Sequence, residues 1–406
     1  MNPEVPIGII ELDDRNIKCV IFKINNNNTE ILSTAITSSE GIHNDVVINL
    51  VKATNAIRSC ISTAEKKANI SLKKIHVVFE QPDFLCTKFS KNKKINGSKI
   101  HKDDIEFLLK EAKKQLVLND DKQSIIHIFN HNYVVDGKTF LEEPIGVYAD
   151  SLTHEMTFIT TLKNNLRNIN QVFIDCDIEI ERLISRTFAS GVKLMSNEEM
   201  QFGSILIDLE LEKMSIGLFR NLALVHSITF PFGLNYIVKD ISKVCSLSLS
   251  ESEKIMNQID FSFHNDQNIF DENDYLKNIY FTDSSFRKIS KKLILNVIKA
   301  RLDEIINIVK KQLTVPGFDL NLSTKILVIG ESSNFFNIDK YILDFLAPKV
   351  KKINNNRDLS SEKNFVSCLG AVKIIKDGWE TEAIPNIGDR NIEKIGFFAK
   401  IFGIHK

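Results

Sequence analysis

The sequence predicts a mixed α/β protein built of two related halves, and three observations carry that prediction. The chain opens with a strand–turn–strand–turn–strand series over residues 5–36, VPIGIIEL, IKCVIFKI and TEILSTAI, punctuated by the turns DDRN and NNNN. A helix-spaced segment and a further strand, IHVVFE, follow it, so strands and helices alternate as they do in layered α/β folds. A second strand–turn–strand, GSILIDLELEKMSIGLF at 203–219, repeats the opening device in the other half of the chain. Two such hairpins, one in each half, suggest two lobes closing on a cleft.

Length and composition set the frame. A chain of 406 residues is too long for one ordinary core and implies two or more domains. Lysine plus arginine and aspartate plus glutamate number 52 each, so no global charge draws the protein to nucleic acid. The six cysteines (Cys19, Cys60, Cys86, Cys176, Cys245, Cys368) contain no CxxC pair, which predicts reduced thiols rather than a zinc site or a disulfide framework. The start MNPEVPIG has neither a basic opening nor an apolar core, and no run reaches the ~20 apolar residues that span a bilayer. The expected setting is therefore cytosolic, or on a membrane surface.

Taken in order, residues 45–69 carry Val47, Leu50, Val51, Ala53, Ala56, Ile57, Cys60 and Ala64 at helical spacing. From Pro82 to about Lys163 the texture changes. KFSKNKKINGSKIHK reads as a solvated basic loop, IHKDDIEFLLKEAKKQL as an amphipathic helix, and SIIHIFNHNYVVDGK and EMTFITTL as short strands. This is enough for a small α/β subdomain set into the first lobe. LKNNLRNINQVFIDC is helical, IEIERLIS a strand, and FGLNYIVKDISKVCSL and SLSESEKIMNQI are consecutive helices, the second capped by Ser250 with Glu253 three residues on. Residues 286–313 predict one long helix with Ile289, Leu293, Val297, Ile298, Leu302, Ile305, Ile306 and Val309 along its apolar face. KILVIGESSNFFNIDKYILDFLA is a buried strand, a glycine turn and a helix, and SEKNFVSCLGAVKIIKDG is another helix. After the polar linker 380–391 the tail is apolar again. On a helix of about 100° per residue Ile392, Ile395, Phe398, Ala399 and Phe402 share one face, widened by Phe397, Ile401 and Ile404, with Lys394, Lys400 and Lys406 beside or opposite it. A short cationic, phenylalanine-rich helix of this kind lies in a headgroup interface or docks on the body of its own protein.

The order of elements resembles the actin-like ATPase superfamily and, within it, the FtsA family of bacterial cell-division proteins. The resemblance rests on IIELDDRNIKCVI and IDLELEKMSIGLF, which match the two phosphate loops, and on ITFPFGLNYIVKDIS, where Gly233 and Asp240 hold corresponding places. It rests also on the long helix VIKARLDEIINIVKKQL, on the amphipathic end after its linker, and on EPIGVYADSLTHEMTFITT at 143–161, which resembles the close of the FtsA-type insertion. The implied fold is α/β, two-lobed and actin-like (ribonuclease H-like), with a small inserted α/β subdomain in the first lobe and a C-terminal amphipathic helix. Its implied divisions are a first lobe over 1–82 and 164–202, the FtsA-type SHS2 insert over 83–163, a second lobe over 203–379 with an outer subdomain at about 236–299, the linker 380–391 and a membrane-targeting helix over 392–406.

The resemblance implies a divisome adaptor on the cytoplasmic face of the inner membrane at the division site. It would polymerise with itself, bind the C-terminal peptide of FtsZ and other divisome proteins, and tether FtsZ filaments to lipid. The family also implies ATP and Mg2+, and the positions that would hold them are Asp13, Asp14, Arg15, Asn16, Asp208, Glu210, Glu212, Lys213, Gly233, Glu253, Gly330 and Glu331. These residues depart from what a phosphate loop needs, namely glycines that let backbone N–H groups approach and a Ser/Thr or Lys as extra donor. In the first loop Glu11 stands at the usual Asp position, and Asp13, Asp14, Arg15 and Asn16 replace the Gly, Thr, Ser and Lys positions. Like charges about 4 Å apart repel by about 4 kcal/mol at an effective dielectric near 20. Arg15 and Lys213 could reach a phosphate, but Asp14 and Glu212 are nearer partners. Glu11 could orient a water as a general base. The expectation is weak or no ATP hydrolysis and no resident metal. Two other readings belong to the same fold: a PilM-like pilus-assembly homologue, which normally lacks the terminal amphipathic helix, and a nucleotide-free structural scaffold. A sugar or acetate kinase would need intact Gly/Thr loops.

Overall fold

The first strand is almost continuously apolar because it ends up covered on both faces. In the computed structural model, which describes residues 5–25, 28–259, 270–271, 273–313, 325–330 and 363–378, β1 (Ile7–Glu11) lies between β2 (Asn16–Asn25), antiparallel to it, and β6 (Lys74–Phe79), parallel to it. With β3 (Asn28–Ser38) and β11 (Glu179–Ser185) they form a five-stranded sheet of order β11-β6-β1-β2-β3. Ile9 and Ile10 point to opposite faces and both are fully buried. The register sets Glu11 directly opposite Lys18.

The helix expected from residue 45 starts later, as α1 (Leu50–Ala68). Asn44 and Asp45 take left-handed conformations in a small hairpin of β4 (Ile42–His43) and β5 (Val46–Val47), so Val47 belongs to a strand. The Asn49 side chain then accepts from the Lys52 N–H as N-cap, and Asn69 closes the helix in the left-handed region. Ala53, Ile57, Cys60, Ile61 and Ala64 form its buried face.

The insert contains β7 (Leu85–Lys99), α2 (Lys102–Asn119), β8 (Gln123–Val135), β9 (Lys138–Phe140) and β10 (Tyr148–Leu162), in a sheet of order β7-β10-β8-β9. The basic stretch read as a loop is therefore a strand. Phe89 and Ile95 are buried while Lys88 and Lys94 are exposed, and lysines on an edge strand discourage stray pairing. Two apolar clusters fill the insert, one around Ile100, Ile105, Leu108, Tyr133 and Leu152, the other around Phe89, Ala112, Leu116, Met156 and Phe158. Fully buried His154 stacks on Tyr133, with ring centroids 4.4 Å apart, and neither its nitrogens nor the Tyr133 hydroxyl finds a hydrogen-bond partner among the described residues.

Burial pushes the His154 imidazole down to about 3 and that of His131, whose Nε2 lies 3.2 Å from Thr157 Oγ1, down to about 4. Folding holds both rings neutral, whereas the unfolded chain protonates them below about 6.5. The stability they allow is complete above that pH and is lost progressively as pH falls toward their folded values. His154→Phe is expected to raise stability near neutrality by about 1 kcal/mol, by removing an unsatisfied polar group, and to flatten the acid limb below pH ~6.5. Urea titrations followed by circular dichroism between neutral and mildly acidic pH read both effects, and an unchanged acid limb would be evidence against this role.

After the insert come α3 (Lys163–Asp175), β11, α4 (Arg186–Leu194) and α5 (Asn197–Phe202). The described residues divide into two compact units, one from residues 5–203, 217–229 and 363–378, the other from residues 204–216 and those described between 230 and 330. The last described helix, α9 (Val366–Lys376), packs on α4 and β1 and so belongs to the first unit, whereas the sequence grouped it with the second lobe. Gly370 makes that packing possible, because a Cβ there would stand 1.8 Å from the Ala189 carbonyl oxygen.

A second sheet has the order β14-β13-β12-β15, from β12 (Ser204–Leu209), β13 (Met214–Arg220), β14 (Ala223–Phe230) and β15 (Lys325–Gly330). The second unit also holds α6 (Asn235–Cys245), α7 (Leu249–Gln258) and α8 (Lys291–Gln312). The cap of α7 is Ser248 with Glu251, two residues earlier than Ser250 and Glu253. Buried Glu251 explains the shift: it also accepts from the N–H groups of Asp283 and Ser284. Helix α8 begins at Lys291 rather than 286, with Ser290 as its cap.

Candidate functional site

The first loop is the turn from β1 to β2, and its charges are satisfied from within the first unit. Lys18 Nζ lies 3.1 Å from Glu11 Oε1, as the strand register dictates. Arg186, the first residue of α4, brings Nη1 to 3.5 Å from Glu11 Oε1 and to 3.5 Å from Asp13 Oδ1. The Ser367 hydroxyl donates to the other Glu11 oxygen, with Cys368 Sγ 3.6 Å away. Burial alone would raise the Glu11 carboxyl, but Lys18 and Arg186 outweigh it and hold the group below the ordinary carboxylate range. Burial likewise works against the Lys18 ammonium, and Glu11 more than restores it. Burial pushes the Cys368 thiol well up, so it stays protonated. Asp14 accepts from the Asp45 N–H at 2.8 Å, and exposed Arg15 offers its carbonyl to the Ser39 N–H at 2.9 Å. Asn16 begins β2.

Behind this loop Asp45 Oδ2 accepts from the Glu80 N–H at 3.0 Å, and the Asp45 carbonyl accepts from Gln81 Nε2 at 2.8 Å. Gln81 in turn accepts from Thr161 Oγ1 on β10, so a chain of hydrogen bonds runs from the first loop to the insert.

The second loop is a tight turn closed by the Glu210 N–H donating to the Lys213 carbonyl at 3.0 Å. Lys213 is almost fully buried with Nζ 3.6 Å from Glu210, the partner expected to be Glu212. Glu212 instead accepts from the Asn235 side chain. The N–H groups of Leu234 and Asn235 donate to the carbonyls of Glu210 and Leu211, at 2.9 and 2.8 Å. Gly233 allows that approach, since a Cβ there would meet the Glu210 oxygen at 2.2 Å. Asp208 is buried on β12 across from Ile329. Gly330 has a φ of +112° and presses on the Leu209 carbonyl, so it too is fixed by geometry. Asp240 is held by Arg301 through Nε at 2.6 Å and Nη2 at 3.0 Å, a bidentate pair. Glu253 is exposed and Met256 buried on α7. Glu331 and the tail positions Ile392, Lys394, Ile395, Phe397, Phe398, Lys400, Ile401, Phe402 and Lys406 lie outside the described residues.

Arg186, Ser367, Asp45 and Glu251 escaped the sequence reading. Lys18 had a legible signal, since a turn of this length places it opposite Glu11, and Glu251 had one in its capping-box spacing from Ser248; Arg186, Ser367 and Asp45 come from distant segments.

Alternating strands and helices in two halves, with a four-stranded, one-helix insert in the first, make this an actin-like ATPase fold. A PilM–PilN type IV pilus biogenesis complex superposes with a TM-score of 0.63 at 12% identity, over 91% of this chain and 99% of that one. MreB5 of Spiroplasma citri bound to AMPPNP gives 0.52 at 13% identity, over 92% and 96%. The SHS2 domain inserted in FtsA matches residues 85–160, the span of the observed insert. The cell division protein FtsA of Buchnera aphidicola subsp. Schizaphis graminum is 25% identical over 394 residues, covering 93% of this chain and 92% of its own. That of Bacillus subtilis is 22% identical over 315 residues, covering 76% and 69%. Over nearly its whole length the chain is similar to the FtsA family of cell-division proteins.

Actin-like folds generally hold nucleotide with Mg2+, and the loops present here do not fit that group. Asp13 and Asp14 carry side chains where amides would need an open approach, and Lys18 and Arg186 already face Glu11 and Asp13. Among the described residues no group of three His, Cys, Asp or Glu side chains is placed to hold a metal.

Proposed function

We propose that this protein is a membrane adaptor of the division machinery, with weak or no ATP hydrolysis, which polymerises and tethers FtsZ filaments to the inner membrane. The FtsA-type insert at 85–160 is the observation that carries this reading. The proposed divisions are a first lobe over 1–82 and 164–202 that also takes the helix Val366–Lys376, the insert over 83–163, a second lobe over the rest of 203–379, the linker 380–391 and the amphipathic tail 392–406. The outer part of the second lobe, about 236–299, takes the FtsZ C-terminal peptide, and the insert serves self-association. The apolar, lysine-flanked pattern of 392–406 supplies adhesion to lipid on the cytoplasmic face at the division site. One such helix binds weakly, so firm attachment comes from many copies in one filament. No described helix is long and apolar enough to cross a membrane, which is compatible with a surface mode of attachment.

The test is sedimentation of the full chain with anionic liposomes, against a chain truncated after Asn391, with and without FtsZ. The full chain is expected to pellet and to carry FtsZ with it. Truncation should lower the lipid-bound fraction at least tenfold, the effect of losing ~1.4 kcal/mol or more of adhesion. Equal pelleting of both forms would remove the physical basis of the proposal.

A further inference from the structure

The residues at the first loop do more than fail to suit a triphosphate. Glu11 is fully buried and Asp13 partly so, and their two negative charges are met by two positive ones, Lys18 and Arg186, that reach them from separate elements. Asp14, the third acid, is engaged by the Asp45 N–H and lies 3.8 Å from His43 Nδ1. The Ser367 hydroxyl adds a donor to Glu11 and ties β1 to α9.

We infer that Lys18 and Arg186 are a built-in counter-charge, replacing the divalent cation and phosphate as the groups that organise this loop, so that the chain folds and works without nucleotide. The inference concerns the first unit alone and does not rest on the adaptor reading. Two physical points carry it. For Arg186 to turn toward a phosphate it must leave Glu11 and Asp13, removing one of the two cations that face this buried pair of acids, and a buried net charge is strongly unfavourable. An incoming triphosphate would also meet the side chains of Asp13 and Asp14, like charges that repel it. The cluster joins the β1 turn to α4 through Arg186 and to α9 through Ser367 with the chain's own side chains.

Thermal unfolding of the full chain, in buffer, with Mg2+ alone, and with ATP·Mg2+ or ADP·Mg2+ at about 5 mM, tests it. A ligand present at ~100 times its dissociation constant raises a midpoint by several degrees. No shift is expected in any arm, and equilibrium dialysis with labelled ATP should retain none. Arg186→Gln is expected to lower the midpoint in plain buffer by several degrees, and to remain blind to nucleotide. Arg186→Lys, which keeps the charge, should recover part of that loss even if the glutamine variant fails to fold. A saturable rise of the wild-type midpoint with ATP·Mg2+, abolished in Arg186→Gln, would overturn the inference and make Arg186 a phosphate ligand. Lipid and FtsZ-peptide binding with and without ATP·Mg2+ separates the two readings: no binding in either buffer counts against the adaptor, whereas binding that ATP·Mg2+ restores, or nucleotide retention, counts against the built-in counter-charge.

Discussion

Gly370→Ala is expected to destabilise the first unit by about 3 kcal/mol or more, through one added methyl group. The ideal Cβ would sit 1.8 Å from the Ala189 carbonyl oxygen and 2.5 Å from its carbon. Both are backbone atoms of α4, so no side chain can rotate away, and the α4–α9 pair must separate. Separation would also pull Ser367 from Glu11 and Lys373 Nζ from the Val192 carbonyl, now 3.1 Å away. Urea unfolding by circular dichroism measures the loss. Gly378→Ala serves as a control: its Cβ would meet nothing within 4 Å, so only its positive φ, +74°, makes the change costly. A Gly370→Ala chain no less stable than this control would show that the two helices can separate at little cost.

Glu80→Leu should have the second large effect. Glu80 is 1% exposed, immediately after the end of β6. One of its oxygens accepts from Ser185 Oγ at 2.8 Å and from the Thr187 N–H at 3.0 Å, and the other from Thr229 Oγ1 at 3.3 Å. These donors come from the start of α4 and from β14, so the carboxylate fastens three parts of the first unit. A hydrogen bond contributes roughly 0.5–1.5 kcal/mol net, a buried donor left without its acceptor costs about 1–3 kcal/mol, and such terms are not additive. Leucine leaves all three donors buried without their acceptor, and the expected loss is about 3–5 kcal/mol. Glu80→Gln keeps an oxygen for Ser185 and Thr187 while its amide can donate to the Thr229 hydroxyl, so about 1 kcal/mol is expected. Denaturant midpoints of the two variants give the comparison. Equal losses would mean that the hydrogen bonds contribute little and that side-chain volume at this position is what matters.

Much of the architecture was legible because apolar spacing is a local signal. The β1–β2–β3 meander, the long helix α8 and the helix α2 could be read from periodicity alone. The misreadings also have local causes. Five lysines in β7 disguised an edge strand whose inward positions, Phe89 and Ile95, are few. Ser250 and Glu253 have the capping-box spacing, as do Ser248 and Glu251; the second pair caps the helix because Glu251 also binds the Asp283 and Ser284 amides. Lys213 has acids on either side in sequence, and the tight turn brings Glu210 rather than Glu212 to it.

By itself the sequence determined the α/β class, the two hairpins, the insert and the loss of glycine from the first loop, since each is written in neighbouring residues. Only the tertiary structure decided what replaced those glycines. Arg186 and Ser367 reach Glu11 from far along the chain, and α9 joins the first unit because Gly370 lets two backbones touch. Charge balance in a buried place is set by distance in space, and a linear pattern records only distance along the chain.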